Sequence, residues 1–334
     1  MFPHCRSIAL LAGLLVIGLL STVPANPAAA QAITRTVTIV VPYSAGGGTD
    51  TVARLIGDQM SRTLGQTVLI ENVVGAGGTR ANERVARSEP DGTTVLINHV
   101  ALLAAPSLFI NLRYDTRTAF EAVGLVNNAP MVLIGRKSIP GQNSKDHVEW
   151  IRSQGAKANF AHGGVGTNSH LCAVMMGNVF GFKPTFVAYR GSAPAINDML
   201  ASQVDLLWDQ VTNGLPQIQA GMLHGIAITS TQRLDELKDV PTTAELGMPD
   251  INYTMWHGLY VAKGTPKPAI AALNEALRKA LADPGVAAKL KALGTLAFPL
   301  AEQSPEAHAR LFAADLPRVA KLVESSGAKP SEAQ

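Results

Sequence analysis

Three times along this chain an apolar, strand-like segment runs into a glycine-rich turn and then into a helical pattern. The first is TIVVPYSAGGGTDTVARLIGDQMSRTL (Thr38–Leu64). The others are ENVVGAGGTRANERVAR (Glu71–Arg87) and NFAHGGVGTNSHLCAVMM (Asn159–Met176). Such a turn lets backbone N–H groups approach a ligand closely, because glycine has no Cβ in the way. The helix that follows starts with unpaired N–H donors and a partial positive charge. Three such turns point to a pocket that holds an anion by its backbone. None of them carries the lysine, the acid pair or the base that would make it catalytic.

Strand and helix signals alternate beyond these turns. Thr36–Val41, Thr67–Asn72 and Thr93–Asn98 read as strands. Val52, Leu55, Ile56, Met60 and Leu64 fall at helical spacing, with Gly65 as the stop. This βαβαβ opening predicts an α/β fold with a parallel sheet and helices on both faces. From Met131 the pattern repeats, with strands in MVLIGR, NFAHGG, TFVAY, VDLLWD and GIAITS and helices over 144–154, 169–180 and 193–200. After Tyr253 come three helices, opened by Thr265-Pro266, Asp283-Pro284 and Ser304-Pro305. Each pair reads as an N-cap before a proline at the first helical position. The predicted domains are 33–129 plus 254–334, and 130–253. Two crossovers, near 129–137 and 252–262, would form a hinge.

Residues 1–30 read as a secretory signal peptide. Arg6 precedes the apolar run Ile8–Leu20, then Pro24, Pro27 and Ala28-Ala29-Ala30 follow. The run is shorter than the roughly 20 residues of a membrane span. The expected product is exported to the periplasm after cleavage near Ala30. It retains Cys172 alone, so no internal disulfide can form and the core must stabilise the fold. The formal net charge of +3 is far from the strongly basic balance of nucleic-acid binders.

Several stretches could carry chemistry. In Pro42–Asp50, N–H groups and Thr49 would hold a carboxylate while Asp50 fixes the loop. The other reading is an ordinary tight turn with Thr49 as N-cap. GAGGTRAN (Gly75–Asn82) lacks the phosphate-loop spacing and reads as a strand-to-helix turn. HGGVGTNSH (His162–His170) has Ser169 where a dinucleotide fingerprint needs its third glycine. Thr167, Asn168 and Ser169 can cap the next helix or donate to a ligand oxygen; three in a row exceed capping needs. His99 ends the third strand, where cleft residues belong, although a satisfied structural histidine is the plainer role. Asp209 ends VDLLWD, and Trp208 beside it would report on a cleft. With no H-E-x-x-H or C-x-x-C and no G-x-S-x-G elbow, neither a metal, a cofactor nor serine-hydrolase chemistry is expected.

Taken together, VPYSAGGGTDTVARLIGDQM, LGQTVLIENVVGAGG, PDGTTVLI, GGVGTNSHL, YRGSAPAINDMLASQVDLLWD, VPTTAELG and GTPKPAIAALNEAL resemble the solute receptors of tripartite tricarboxylate transporters, the Bug proteins, over essentially the full mature length. The resemblance implies a two-lobed periplasmic-binding-protein fold, type II-like, with a Venus-flytrap cleft that closes on a small solute without catalysis. It implies that Ser44, Ala45, Gly46, Gly47, Thr49 and Asp50 grip one carboxylate. Gly164, Gly166, Thr167 and Asn168 would grip the other end, with Tyr189 and Asp209 lining the second lobe and Thr79 and His99 nearby. His99-Val100-Ala101 and Arg80 depart from the family pattern, and either could alter the ligand.

The reading is therefore a monomeric, non-enzymatic receptor. It takes a di- or tricarboxylate, an acidic amino acid or an aromatic acid, and delivers it to membrane transporter subunits. A sensor that presents its ligand to a kinase, and an exported hydrolase using Asp209 with His99 or His170, are the alternatives. The hydrolase would need a base within hydrogen-bond reach of a nucleophile.

Overall fold

The computed structural model describes residues 33–325, 328 and 330–332, so the proposed signal peptide lies outside the described residues. The chain opens with β1 (Val37–Val41), α1 (Gly48–Leu64), β2 (Val68–Asn72), α2 (Thr79–Ala86), β3 (Thr94–Asn98) and α3 (Val100–Leu108). β1 pairs in parallel with β2 on one side and β3 on the other. Next come β4 (Phe120–Arg136), α4 (Ser144–Gln154), β5 (Asn159–His162), α5 (Asn168–Phe180), β6 (Thr185–Ala188), α6 (Ser192–Leu200), β7 (Leu206–Gln210), α7 (Val211–Gln219) and β8 (Leu223–Ile228). The last elements are β9 (Thr254–Ala262), α8 (Lys267–Ala282), α9 (Pro284–Ala292), β10 (Leu296–Ala297) and α10 (Pro305–Ser325).

β4 belongs to two half-sheets. Residues 120–130 pair antiparallel with β9, giving the order β2-β1-β3-β9-β4. Residues 131–136 pair antiparallel with β7 and β8, and β7 continues in parallel to β5 and β6. The sheet is thus mixed, not the parallel one expected, because β9 runs antiparallel to β3. The strand expected from Met131 starts 11 residues earlier, at Phe120. Gly124, Asn127, Asn128 and Pro130 interrupt its apolar pattern, and the pairing with β9 shifts register at Ala122/Gly124 and at Leu125/Asn128 to absorb them.

Strand alternation sorts the first half-sheet into two faces. Val37, Ile39 and Val41 of β1, Val95 and Ile97 of β3, and Leu259 and Val261 of β9 pack with α1 and α8. Val40, Leu96 and Tyr260 point the other way, into a cluster that includes α3 and α10. α3 was not anticipated. Its sequence VALLAAPSL is apolar all round and buried, so it has no polar face to give a period. Among the proline-marked starts, Asp283 accepts from Gly285 N (2.9 Å) and Val286 N (3.0 Å), and Ser304 accepts from Ala307 N (3.1 Å). Thr265 does not cap: the cap position is Pro266, and the Thr265 hydroxyl donates to Ala262 O. No described helix is long and apolar enough to cross a membrane.

Candidate functional site

β1, β3, β5, β6 and β7 each end in a turn that starts a helix, and those turns meet in one cleft between the half-sheets. The cap residues of α1, α3, α5, α6 and α7 are Gly47, His99, Thr167, Gly191 and Gln210. All five line the same cavity. Each terminus contributes unpaired N–H donors and a partial positive charge. No lysine or arginine is among the lining residues, and Asp209 is the only acid. The cleft thus offers an anion helix starts and neutral donors but no cationic side chain.

The hydroxyls there have no proton to spare. A chain of bonds proves this for Thr49. The Thr295 hydroxyl donates to Asn128 O, so it accepts from Asn127 Nδ2 (2.7 Å). That orients Asn127 with Oδ1 toward His257 Nδ1 (2.9 Å), which must carry the ring proton. His257 Nε2 is then an acceptor and takes the Thr49 hydroxyl proton (3.0 Å). Burial drives the His257 pKa down to about 3, so the ring stays neutral. Gln210 Nε2 reaches across the cleft and donates to Thr49 Oγ1 (3.1 Å). Tyr43 donates to Asn98 Oδ1 (3.1 Å), and Thr167 to Gly164 O (2.7 Å). Ser169 lies 2.9 Å from Thr167 Oγ1 and, with that proton already placed, is the donor to it. Ser192 donates to Asp209 (2.6 Å). Asn168 differs: Tyr253 donates to its Oδ1 (2.7 Å), and its buried Nδ2 has no partner.

Asp209 is 1% exposed and accepts from Ser192 Oγ, Asn213 Nδ2 (2.6 Å) and Gln210 N (2.8 Å). Burial raises its pKa to about 6 against the pull of those three donors. It sits where α6 and α7 begin and is the protein's own anion for those two termini. Asp50 faces away from the cavity and organises the first turn. It accepts from Gly46 N (2.9 Å), Arg54 Nε (2.9 Å) and Asn72 Nδ2 (2.9 Å). Burial pushes its carboxyl up, but Arg54, the Gly46 N–H and Asn72 outweigh that and hold it low.

Of the residues expected at the site, Gly47, Thr49, His99, Thr167, Asn168 and Asp209 line the cavity. Ser44 lies just behind it and its N–H bonds Arg190 O across the cleft (3.0 Å). Ala45 and Gly46 form the exposed tip of the loop, and Thr79 is buried at the start of α2. Gly164 and Gly166 shape their turn with φ of +130° and +80° without lining the cavity. Tyr189 turns its hydroxyl to Asp198 (2.7 Å). Thr49 is not the cap of α1; Gly47 is. Thr167 holds the cap position of α5 but makes no side-chain cap bond, and its proton is committed to Gly164, so it is not the free donor expected. His99 caps α3 by accepting from Ala101 N (3.2 Å) and stacks on Tyr43 at 4.8 Å. Trp208 is wholly buried, because β7 turns it to the face opposite Asp209, and it cannot report on the cleft directly. Arg80 is exposed beside Arg113 in a separate outer pocket and does not reach the cleft.

Sequence reasoning missed Tyr43, Met131, Gly163, Gly191, Ser192 and Gln210 as lining residues, and His257 behind Thr49, whereas Ser169 and Gly48 fall in stretches it had singled out. One signal was present: Tyr189-Arg190-Gly191-Ser192 follows a strand and opens a helix, the same pattern as the other turns.

Comparison with known proteins places these features in context. The family description "Tripartite tricarboxylate transporter family receptor" matches residues 52–328. An Agrobacterium vitis protein, described as the UPF0065 protein in the TAR-I ttuE-ttuC' intergenic region, is 39% identical over 87% of this chain and 84% of its own length. The solved periplasmic binding protein BugD is 40% identical, with a TM-score of 0.86 over 90% of this chain and 100% of that one. MatC from Rhodopseudomonas palustris, solved with bound malate, is 36% identical, with a TM-score of 0.83 over 87% of this chain and 99% of that one.

Proposed function

We propose that this chain, which belongs to the tripartite tricarboxylate transporter receptor family, captures a small carboxylate-bearing organic acid in the periplasm and delivers it to the membrane subunits of a transporter. The observation that carries this reading is the convergence of five helix N-termini on one cavity with no basic side chain. Asn168 Nδ2 adds an unpartnered donor in the same wall. The malate held by MatC is a ligand of this class. We take residues 33–129 plus 254–334 as one lobe and 130–253 as the other, acting in a monomer. The cavity between them measures ≈ 20 Å³, room for one or two waters. The cavity takes an organic acid once the lobes part, which breaks the bonds from Ser44 to Arg190 and from Thr49 to Gln210.

Catalysis is not part of this reading. Thr49, His257 and Asn127 stand in the order of a nucleophile, a base and its orienter, but a histidine with a pKa of about 3 is too weak a base near neutral pH. One lone pair of Thr49 is also taken by Gln210 Nε2.

Titration calorimetry against three- to six-carbon acids, amino acids and aromatic acids should find a dissociation constant near micromolar, about −8 kcal/mol. Small-angle scattering on the same samples should show a smaller radius of gyration with ligand than without. A panel with no heat below millimolar concentration would refute carboxylate capture.

A further inference from the structure

The hydrogen-bond polarity of the cleft narrows the ligand class, a step that rests on the receptor reading above. We propose that the cleft selects acids that carry a hydrogen-bond donor, a hydroxyl or an ammonium group, over plain acids of the same carbon skeleton. A hydroxyl has one proton to give and two lone pairs to offer. Tyr43, Thr49, Thr167, Ser169 and Ser192 all line the cavity, and each has placed its one proton on a protein acceptor. They can meet a ligand only as acceptors. Asp209 adds a carboxylate, with three of about four lone-pair sites filled by Ser192, Gln210 and Asn213. The donors left for a ligand carboxylate include the backbone N–H groups of the helix starts, Asn168 Nδ2 and the Nε2 proton of His99, whose Nδ1 accepts from Ala101 N.

Asp209 already neutralises the starts of α6 and α7. The start of α5 carries no such internal acid facing the cavity and has Asn168 Nδ2 in its first turn, so a carboxylate belongs there. The other end of the ligand meets Thr49 and Asp209. A methylene there leaves acceptors desolvated and unpaired, and a second carboxylate meets Asp209 as a like charge. A hydroxyl or ammonium does neither. In the closed structure Gln210 Nε2 fills one acceptor site of Thr49, so a ligand donor takes the second lone pair or the place of Gln210.

His257 is the positioning residue of this device. Its unprotonated Nε2 draws the Thr49 proton away from the cavity, and it is itself held in that tautomer by Asn127 and Thr295. Without that acceptor Thr49 would be free to donate, and its preference would reverse.

The test uses the full chain and matched pairs: L-malate or L-aspartate with succinate, L-lactate or L-alanine with propionate, and 2-hydroxyadipate or 2-aminoadipate with adipate. The tightest binder should carry the donor, and its plain parent should bind at least fivefold more weakly. A plain acid as the tightest binder, or a ratio below fivefold, overturns the selection while leaving acid capture intact. Binding of no member while a plain acid of the wider panel binds overturns the selection alone, and no binding anywhere in that panel removes the receptor reading and this inference with it. His257→Phe should bring the ratio below twofold mainly by weakening the donor-bearing acid. General loosening would weaken both members alike, and that result, or an unchanged ratio, overturns the role of His257. Should that variant not fold, Thr49→Val, which removes the acceptor and keeps the shape, carries the same expectation.

Discussion

Gly48→Ala should leave the fold as stable as before, or slightly more so, and reduce affinity for the best organic acid by at least about 100-fold, roughly 3 kcal/mol. Gly48 is the first residue of α1 and has a helical backbone. Alanine there is favoured over glycine by about 0.5–1 kcal/mol on helix propensity. The obstacle lies across the cleft. A Cβ on Gly48 would sit 2.3 Å from Gln210 Oε1 and 2.6 Å from Thr212 Oγ1. Both side chains are buried, and Gln210 is tied to Thr49, so neither has free space to yield into. Relief comes from the lobes standing apart, which removes the closed state that a ligand selects. Calorimetry, thermal melts and scattering together decide it. An unchanged dissociation constant would show that this contact is not part of closure, and a parallel fall in melting temperature would assign the loss to misfolding. Gly47, by contrast, has φ of −78°, and a Cβ there would meet Ser44 O at 3.4 Å, an ordinary contact. The steric requirement for glycine in this loop falls on Gly48, and at Gly46 on its φ of +78°.

The distinction between those neighbouring glycines shows what could be read in the sequence and what could not. The turns after β1 and β5 were legible, because strand, glycine run and helix are consecutive and each leaves a local pattern. Their convergence was inferred from the repeated turn pattern and from the family resemblance, and the turn before α2 does not line the cavity. The bonds that set the polarity of the cleft were not legible at all. Thr49 and His257 are 208 positions apart, and Asn127 and Thr295 are 168 apart. No period or spacing links residues that meet only through the pairing of β4 with β9 and β10. Which hydroxyls still have a proton to give was hidden as well, even where the acceptor is local, because it depends on turn geometry. Thr167 looks like a free donor in Gly166-Thr167-Asn168, and only the position of the Gly164 carbonyl shows otherwise. β4 was half legible for a different reason: Asn127 and Asn128 look like a break in a strand, whereas Asn127 is buried because His257 and Thr295 satisfy it.

Buried histidines should also make this protein acid-labile. His99, His162, His170, His257 and His308 are all buried, and burial lowers each pKa, to about 4 for His162 and to about 3 for His170, His257 and His308. The unfolded chain binds a proton at each near pH 6.5. The stability these neutral rings provide is therefore complete above pH 6.5 and is lost as pH falls through the window from 6.5 toward 4. Asp209 acts in the opposite sense. Its folded pKa is raised to about 6, so the native state takes its proton first and gains from acid between pH 6 and 4. These five protons against one, with a further contribution of the same sign from buried His147, leave at least about four net, or roughly 5 kcal/mol lost per pH unit near pH 5. With a total stability of about 5–15 kcal/mol, unfolding should occur between about pH 4 and 5.5. The free energy of urea unfolding, measured at intervals from pH 7.5 to 5, gives the slope directly. His308 provides the internal control: it touches neither the cleft nor any hydrogen-bond partner, and packs between Trp256 and Tyr260. His308→Leu should lower that slope by about one proton, roughly 1.4 kcal/mol per pH unit, without changing ligand affinity at pH 7.5. A stability that stays flat from pH 7 to 5 would mean that the buried rings accept protons in the folded state, and that the interior around them admits water.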